Sequence, residues 1–299
     1  MKLRRSRLYV PGNNPKMIPP SSLYGADVIS LDLEDSVAPD FKVDARNLVA
    51  QALRDVEFGG NTEVTVRINP ISSPFGRDDI RAIVCEKLDG IYIPKTETTS
   101  DVIEVDELVT REEDRNGLDI GSIKLFATME TAKGIINCSE IARSSKRLEG
   151  ITIGGEDLTA DLGGERTPEG TAINTSRSLI VLAAKAAGIQ AIDTVYSDIN
   201  DHEGLKKETL RIKQMGFDGK ACIHPGQIPV IHEAFNPTAD EIKYALKVTK
   251  AIEEARKKGS GVISLGRKMI DRPIMLKAEK ILARAKAANL EIPQEEEVE

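Results

Sequence analysis

The chain has 299 residues and a formal net charge of −7, with 40% hydrophobic, 30% charged and 4% aromatic residues and no tryptophan. This composition fits a globular protein with a large core, at a length that α/β barrels often reach as single domains. The negative balance and the few aromatic rings argue against a nucleic-acid binder working by bulk positive field or base stacking, and they leave an anionic substrate dependent on a local cluster of cations.

Along the chain, Met1-Lys2-Leu3-Arg4-Arg5 is basic but leads into no apolar run. No signal peptide or membrane span is read there, and the cytoplasm is the expected location. Short runs of apolar and β-branched residues then alternate with longer amphipathic segments. Strands are expected at Arg5–Val10, Asp27–Leu33, Glu63–Ile68, Gly90–Pro94, Ile123–Met129, Gly150–Ile153, Ala191–Thr194 and Lys220–Ile223, each short enough to be buried on both faces. Phe41–Arg54 and Thr171–Ala187 carry apolar residues three and four apart, as helices do, and Gly188 follows the second at a C-cap position. Pro19-Pro20-Ser21-Ser22 interrupts the first inter-strand helix, which is expected to be short because proline has no N–H and clashes with the preceding turn.

Eight βα units in series predict a closed (β/α)8 TIM barrel over residues 1–236. An open doubly wound sheet is the competing topology. No G-x-G-x-x-G follows the first strand, which disfavours its dinucleotide-binding version. Beyond the eighth strand come a helix at Pro237–Lys258, a glycine-rich link at Gly259-Ser260-Gly261, a short run at Val262–Leu265 and a last helix from about Ile270. Residues 237–299 are thus expected to form a C-terminal helical extension that packs on a neighbouring subunit, with a frayed acidic end at Gln294–Glu299.

Cys85, Cys138 and Cys222 form no C-x-x-C pair and are expected as reduced thiols, not a disulfide framework or zinc site. On a barrel, reactive groups gather at the C-terminal ends of the strands. Those ends carry Asp32, Glu34 and Asp35, then Arg67, Lys95, Glu130, and Gly154-Gly155-Glu156-Asp157, with His224 after the eighth strand. So many carboxylates on one rim are costly unless they pair or hold a metal. An oxygen-rich set points to Mg²⁺, with Glu130 and Asp157 on adjacent strands as its ligands. Arg67 suits a substrate carboxylate through two parallel hydrogen bonds. Gly154 and Gly155 permit backbone amides to face an anionic oxygen. Each residue also has a plainer reading alone: Glu130 and Asp157 near helix caps, and Arg67 as a structural partner of Glu34 or Asp35. His202 and His232 read as a loop residue and a helix residue. These residues by themselves reach a barrel enzyme with a divalent metal acting on a carboxylate.

The motifs are more specific together. Leu8-Tyr9-Val10-Pro11-Gly12-Asn13, Leu31-Asp32-Leu33-Glu34-Asp35-Ser36-Val37, Val66-Arg67-Ile68-Asn69, Pro94-Lys95-Thr96 and Glu130-Thr131-Ala132-Lys133-Gly134 occur in order. They are followed by Gly154-Gly155-Glu156-Asp157, Asp193-Thr194-Val195-Tyr196-Ser197-Asp198, Gly216-Phe217-Asp218-Gly219-Lys220 and Lys268-Met269-Ile270-Asp271. Over nearly its whole length the chain resembles the citrate-lyase/malyl-CoA-lyase group of barrel enzymes, and within it the branch of citrate lyase β subunits. The resemblance implies trimers or hexamers, Mg²⁺ on Glu130 and Asp157, and Arg67 on the keto-acid carboxylate. It also implies Asp271 as a proton carrier acting across a subunit interface, and Arg5 and Lys16 near CoA-type phosphates. Asp35, beside Arg67, is a further catalytic candidate, the identity of the base being left open. The implied reaction cleaves a citryl thioester to oxaloacetate and an acetyl thioester, with an acyl carrier protein and an α subunit as partners. A free-standing malyl-CoA or citramalyl-CoA lyase is the alternative, and a barrel kept only as an assembly scaffold is the non-enzymatic one.

Overall fold

Parallel strands covered on both faces are buried along their length, and the strands here combine buried apolar residues with buried polar ones such as Arg7, Thr65, Arg67 and Lys220. In the computed structural model, which describes residues 2–59, 62–257, 263–265 and 268–293, eight such strands close on themselves. They are β1 (Ser6–Pro11), β2 (Val28–Asp32), β3 (Glu63–Arg67), β4 (Gly90–Ile93), β5 (Lys124–Met129), β6 (Leu148–Ile153), β7 (Gln190–Asp193) and β8 (Gly219–Cys222). All eight neighbour in sequence order, and β1 pairs with β8 in parallel at Arg7 and Ala221. The structure is therefore a closed barrel, and the open doubly wound sheet is excluded.

The helices after the strands are α1 (Lys42–Asp55), α2 (Gly76–Ile83), α3 (Thr99–Arg115), α4 (Ala132–Ile136), α5 (Cys138–Ile141), α6 (Gly155–Asp161), α7 (Asn174–Ala187), α8 (His202–Met215) and α9 (Gln227–Phe235). Between β1 and β2, where Pro19 and Pro20 forbid a regular helix, the chain makes only a 3₁₀ turn at Pro19–Tyr24. Thr98 and Asp101 form a reciprocal cap on α3, and Gly188, at φ 75°, ends α7. Thr171–Ile173, expected as the start of that helix, is a separate 3₁₀ turn.

Inside the barrel, successive residues of a strand alternate between the interior and the helix layer. Tyr92 stacks on Phe126 at 4.5 Å between ring centroids, and with Val28 they form a buried cluster. Arg4 lies over the Phe126 ring at 4.8 Å and Arg7 over the Tyr92 ring at 4.0 Å. Outside the barrel wall, Asp193 of β7 receives two hydrogen bonds from Arg177 of α7 and one from Lys220 of β8, and Lys220 also reaches Glu208 of α8 at 2.7 Å. This fully buried network ties two strands to two helices. The guanidinium and ammonium beside Asp193 hold its carboxyl down at about 2, against the upward push of burial.

The chain divides into two compact units, one spanning Arg4–Ala234 and the other built from Phe235 onward with the few residues before Arg4. In the second unit, α10 (Ala239–Lys257) and α11 (Arg272–Ala287) pack through Ala245, Val248, Ile252 and Ala278. Between them lies an antiparallel pair, β9 (Ile263–Leu265) and β10 (Lys268–Ile270), where the sequence suggested only a short apolar run. The expected link at Gly259-Ser260-Gly261 and the acidic end at Gln294–Glu299 lie outside the described residues.

Candidate active site

At the C-terminal ends of the strands a cavity of about 420 Å³ opens, lined by Arg7, Tyr9, Asp32, Asp35, Arg67, Glu130, Asp157 and Thr194 among others. The strands bring these residues together by register. Asp32 at the end of β2 stands level with Arg67 at the end of β3, and both are buried. Arg67 donates from Nε and Nη2 to the two Asp32 oxygens at 2.6 and 2.7 Å and from Nη1 to Asp35 at 3.0 Å. Its Nη1 also lies 2.8 Å from Glu34 Oε2, a contact without hydrogen-bond alignment. The side-on edge of Arg67, one of those suited to a bidentate carboxylate, is thus taken by Asp32. Only the end-on N–H groups are left to turn toward a substrate.

The surplus of carboxylates shows in their proton affinities. Burial, with the charges of Glu130 and Asp35 nearby, raises Glu34 to about 8 in spite of Arg67. Burial, with Asp157 and Asp35 nearby, raises Glu130 to about 7 in spite of the hydrogen bond from the Lys95 amide. That amide lies 2.6 Å from Glu130 Oε1 and belongs to a residue held at φ 49°, a left-handed conformation that costs a non-glycine residue energy. The Lys95 ammonium, half exposed, sits 3.4 Å from Glu34 and its proton is held more tightly by the surrounding carboxylates.

Two readings of the glycines part here. The Gly154 amide donates to the Met129 carbonyl at 3.0 Å and the Gly155 amide to Thr194 Oγ1 at 2.9 Å. Neither is therefore turned to an anionic oxygen, because both are consumed in joining β6 to its neighbours. What the glycines supply is room: a Cβ at Gly154 would lie 2.4 Å from Glu130 Oε2, and one at Gly155 2.8 Å from the Thr194 side chain. Asp157 lies in the first turn of α6, exposed and on the cavity wall.

Arg5 is misplaced by the sequence reading. It precedes β1 and so lies at the opposite end of the barrel, where its guanidinium and amide hold Asp27 at 2.7–2.8 Å. Lys16 is exposed in the loop after β1, beside cavity-lining Met17. Asp271 belongs to the second unit, where its side chain caps α11 by accepting from the Ile274 amide at 3.2 Å. His224 is exposed and receives the Gly226 amide, and His232 meets Ser6 at 2.7 Å, away from the cavity. Cys138 and Cys222 are buried and Cys85 is partly buried, all three free.

Glu34 and Arg7 are the functional candidates that sequence reasoning passed over. Glu34 was weighed only as a structural partner of Arg67, and Arg7 looks like one more basic residue in a basic N-terminus. Among the described residues no three His, Cys, Asp or Glu side chains cluster closely enough to hold a metal by themselves. Magnesium fits such a set, since it usually takes one or two carboxylates and completes its shell with water and substrate oxygens. Glu130, its proton affinity raised by burial and by Asp157 nearby, forms with Asp157 a donor pair whose repulsion a divalent cation would relieve.

The family model described as HpcH/HpaI aldolase/citrate lyase matches residues 5–225. The citrate lyase subunit beta of Haemophilus influenzae is 46% identical over 287 residues, covering 96% of this chain and 98% of the relative. The (3S)-malyl-CoA thioesterase of Cereibacter sphaeroides is 36% identical over 283 residues, covering 95% of each. A citrate lyase beta subunit from M. tuberculosis, solved with oxaloacetate and magnesium, superposes with a TM-score of 0.67 at 35% identity, over 79% of this chain and all of the other. By the extent of these matches the chain belongs to the HpcH/HpaI aldolase/citrate lyase family.

Proposed function

We propose that the chain is a Mg²⁺-dependent carbon–carbon lyase that cleaves a citryl thioester to oxaloacetate and an acetyl thioester, working as a citrate lyase β subunit. The observation that carries this reading is the buried Glu130 carboxyl, raised to about 7, on one cavity wall with Asp157 and Arg67. The Haemophilus influenzae relative and the oxaloacetate and magnesium of the M. tuberculosis structure favour the citryl substrate. The Cereibacter sphaeroides relative supports a malyl thioester as the second reading.

Held by Glu130 and Asp157, Mg²⁺ would supply Lewis acidity toward the oxygen that becomes the keto group. Arg67, fixed by Asp32, turns its end-on N–H groups to the carboxylate that stays with the keto acid. Asp35, with a side chain 56% exposed at the mouth of the cavity, is the candidate to take the hydroxyl proton. The carbon–carbon bond then breaks, its electron pair passing into the thioester enolate. Asp271 of a neighbouring subunit returns a proton to the enolate carbon. Lys16 meets the phosphates of the thioester arm. That arm belongs to an acyl carrier protein, loaded by an α subunit, and the chain assembles as a trimer or hexamer in the cytoplasm.

Alanine at Glu130 is expected to lower Mg²⁺-dependent oxaloacetate release by about 1,000-fold, with the circular dichroism spectrum unchanged. A Glu130→Ala protein that turns over at the original rate contradicts the metal assignment.

A further inference from the structure

A lone charge buried in a protein is expensive unless something pairs with it. Among the described residues the buried arginines are Arg4, Arg7, Arg46, Arg67, Arg147 and Arg177, and all but Arg7 pair with a carboxylate. Arg7, only 2% exposed, points inward from β1 and lines the active-site cavity. Its Nη2 donates to the Tyr9 hydroxyl, the Tyr92 hydroxyl lies close beside the guanidinium, and buried Nε and Nη1 have no aligned acceptor. Its guanidinium lies over the rings of Tyr92 and Tyr9, at 4.0 and 4.4 Å. These contacts cover the faces of the guanidinium but satisfy none of the N–H groups at its edge.

The surroundings are polar as well. The hydroxyls of Ser30, Thr128 and Thr152 are buried without hydrogen-bond partners, on strand positions that share a face with Asp32, Glu130 and Gly154. Arg67 lies over the same Tyr9 ring, at 4.7 Å. Both guanidiniums thus lie within 4.7 Å of the Tyr9 ring centroid and line the same cavity.

We propose that Arg7 is a specificity-determining residue that binds the second carboxylate of the keto-acid portion, the group a citryl thioester has and a malyl or citramalyl thioester lacks. The inference rests on the lyase reading above. Arg67 orients the carboxylate next to the reacting carbon. Arg7 receives the one at the far end, which takes the place of the Tyr9 hydroxyl on Nη2 and adds an acceptor for Nη1. A monocarboxylate keto acid leaves Arg7 unpaired, and the cost of that buried charge becomes discrimination against it.

The test is calorimetric binding of freshly prepared oxaloacetate and of pyruvate to the full-length Mg²⁺-loaded protein, wild type and Arg7→Met. Wild type is expected to bind oxaloacetate about 10- to 100-fold more tightly than pyruvate. Arg7→Met should lose most of that preference by weakening oxaloacetate alone, and Arg7→Lys should restore part of it. Equal wild-type affinity for the two acids, or a loss in Arg7→Met shared equally by both, overturns the assignment. The wild-type comparison stands even where Arg7→Met fails to fold. The lyase reading fails separately, if the wild-type protein selects oxaloacetate yet cleaves no citryl thioester.

Discussion

The charge on Glu130 decides whether the site can take a cation. With its carboxyl at about 7, raised first by burial, a proton competes with the metal at and below neutral pH. The apparent affinity for Mg²⁺ is therefore expected to weaken about tenfold for each pH unit below about 7 and to level off above it. Calorimetric titrations of Mg²⁺ into the metal-free protein at pH 6, 7 and 8 check this, and a pH-independent affinity contradicts it. Gly154 acts on the same carboxylate by volume. Gly154→Ala places a methyl group where Glu130 Oε2 stands, so the ligand must move. Activity is expected to fall about 100-fold with little change in melting temperature, and full activity in this variant removes the steric account. The acidic strand ends and Arg67 were legible as site residues because a barrel gathers strand ends at one rim. Glu34 was legible as a rim carboxylate, but its raised proton affinity was not, since it depends first on burial in the fold and then on Glu130 and Asp35 nearby. Arg5 was matched to CoA-type phosphates although it precedes β1, and in a parallel barrel the start of a strand lies at the end away from the cavity.

At the scale of elements, the motif residues divide into those that face the cavity and those that hold its wall. Asp193 and Lys220 sit in stretches that carried the family resemblance, yet both point outward into the network with Arg177 and Glu208. Spacing alone could not separate these roles, because strand alternation sends Thr194 to the cavity and Asp193 to the helices. Asp193→Asn should destabilise the fold by about 3–5 kcal/mol by leaving two buried cations under-compensated. Urea denaturation measures this, and a loss below 1 kcal/mol would show the network to be dispensable. The sign of the pH dependence follows from the depressed carboxyl. Its contribution is present above its ordinary value near 3.8 and is lost as pH falls toward about 2. The eight strands were readable as short doubly buried runs. The β9–β10 pair was not, because three-residue strands carry too little periodicity to distinguish from a loop.

At the scale of the whole molecule, the barrel explains how residues far apart in sequence share one rim, but it leaves Asp271 in a separate compact unit. The trans role proposed for Asp271 predicts complementation. Arg67→Met and Asp271→Ala proteins, each inactive alone, should regain about a quarter of the activity or less when mixed and reassembled, since only some sites then hold both intact residues. No recovery on mixing contradicts action across an interface. The central claim is that this cavity cleaves a citryl thioester with Mg²⁺, and one assay tests it most directly. The purified protein is given citryl-CoA, malyl-CoA and citramalyl-CoA, each with Mg²⁺ and with a chelator, and the keto acid released is identified. Oxaloacetate from citryl-CoA, fastest of the three and abolished by the chelator, is the predicted result. Faster release of glyoxylate or pyruvate, or turnover that survives the chelator, would contradict it.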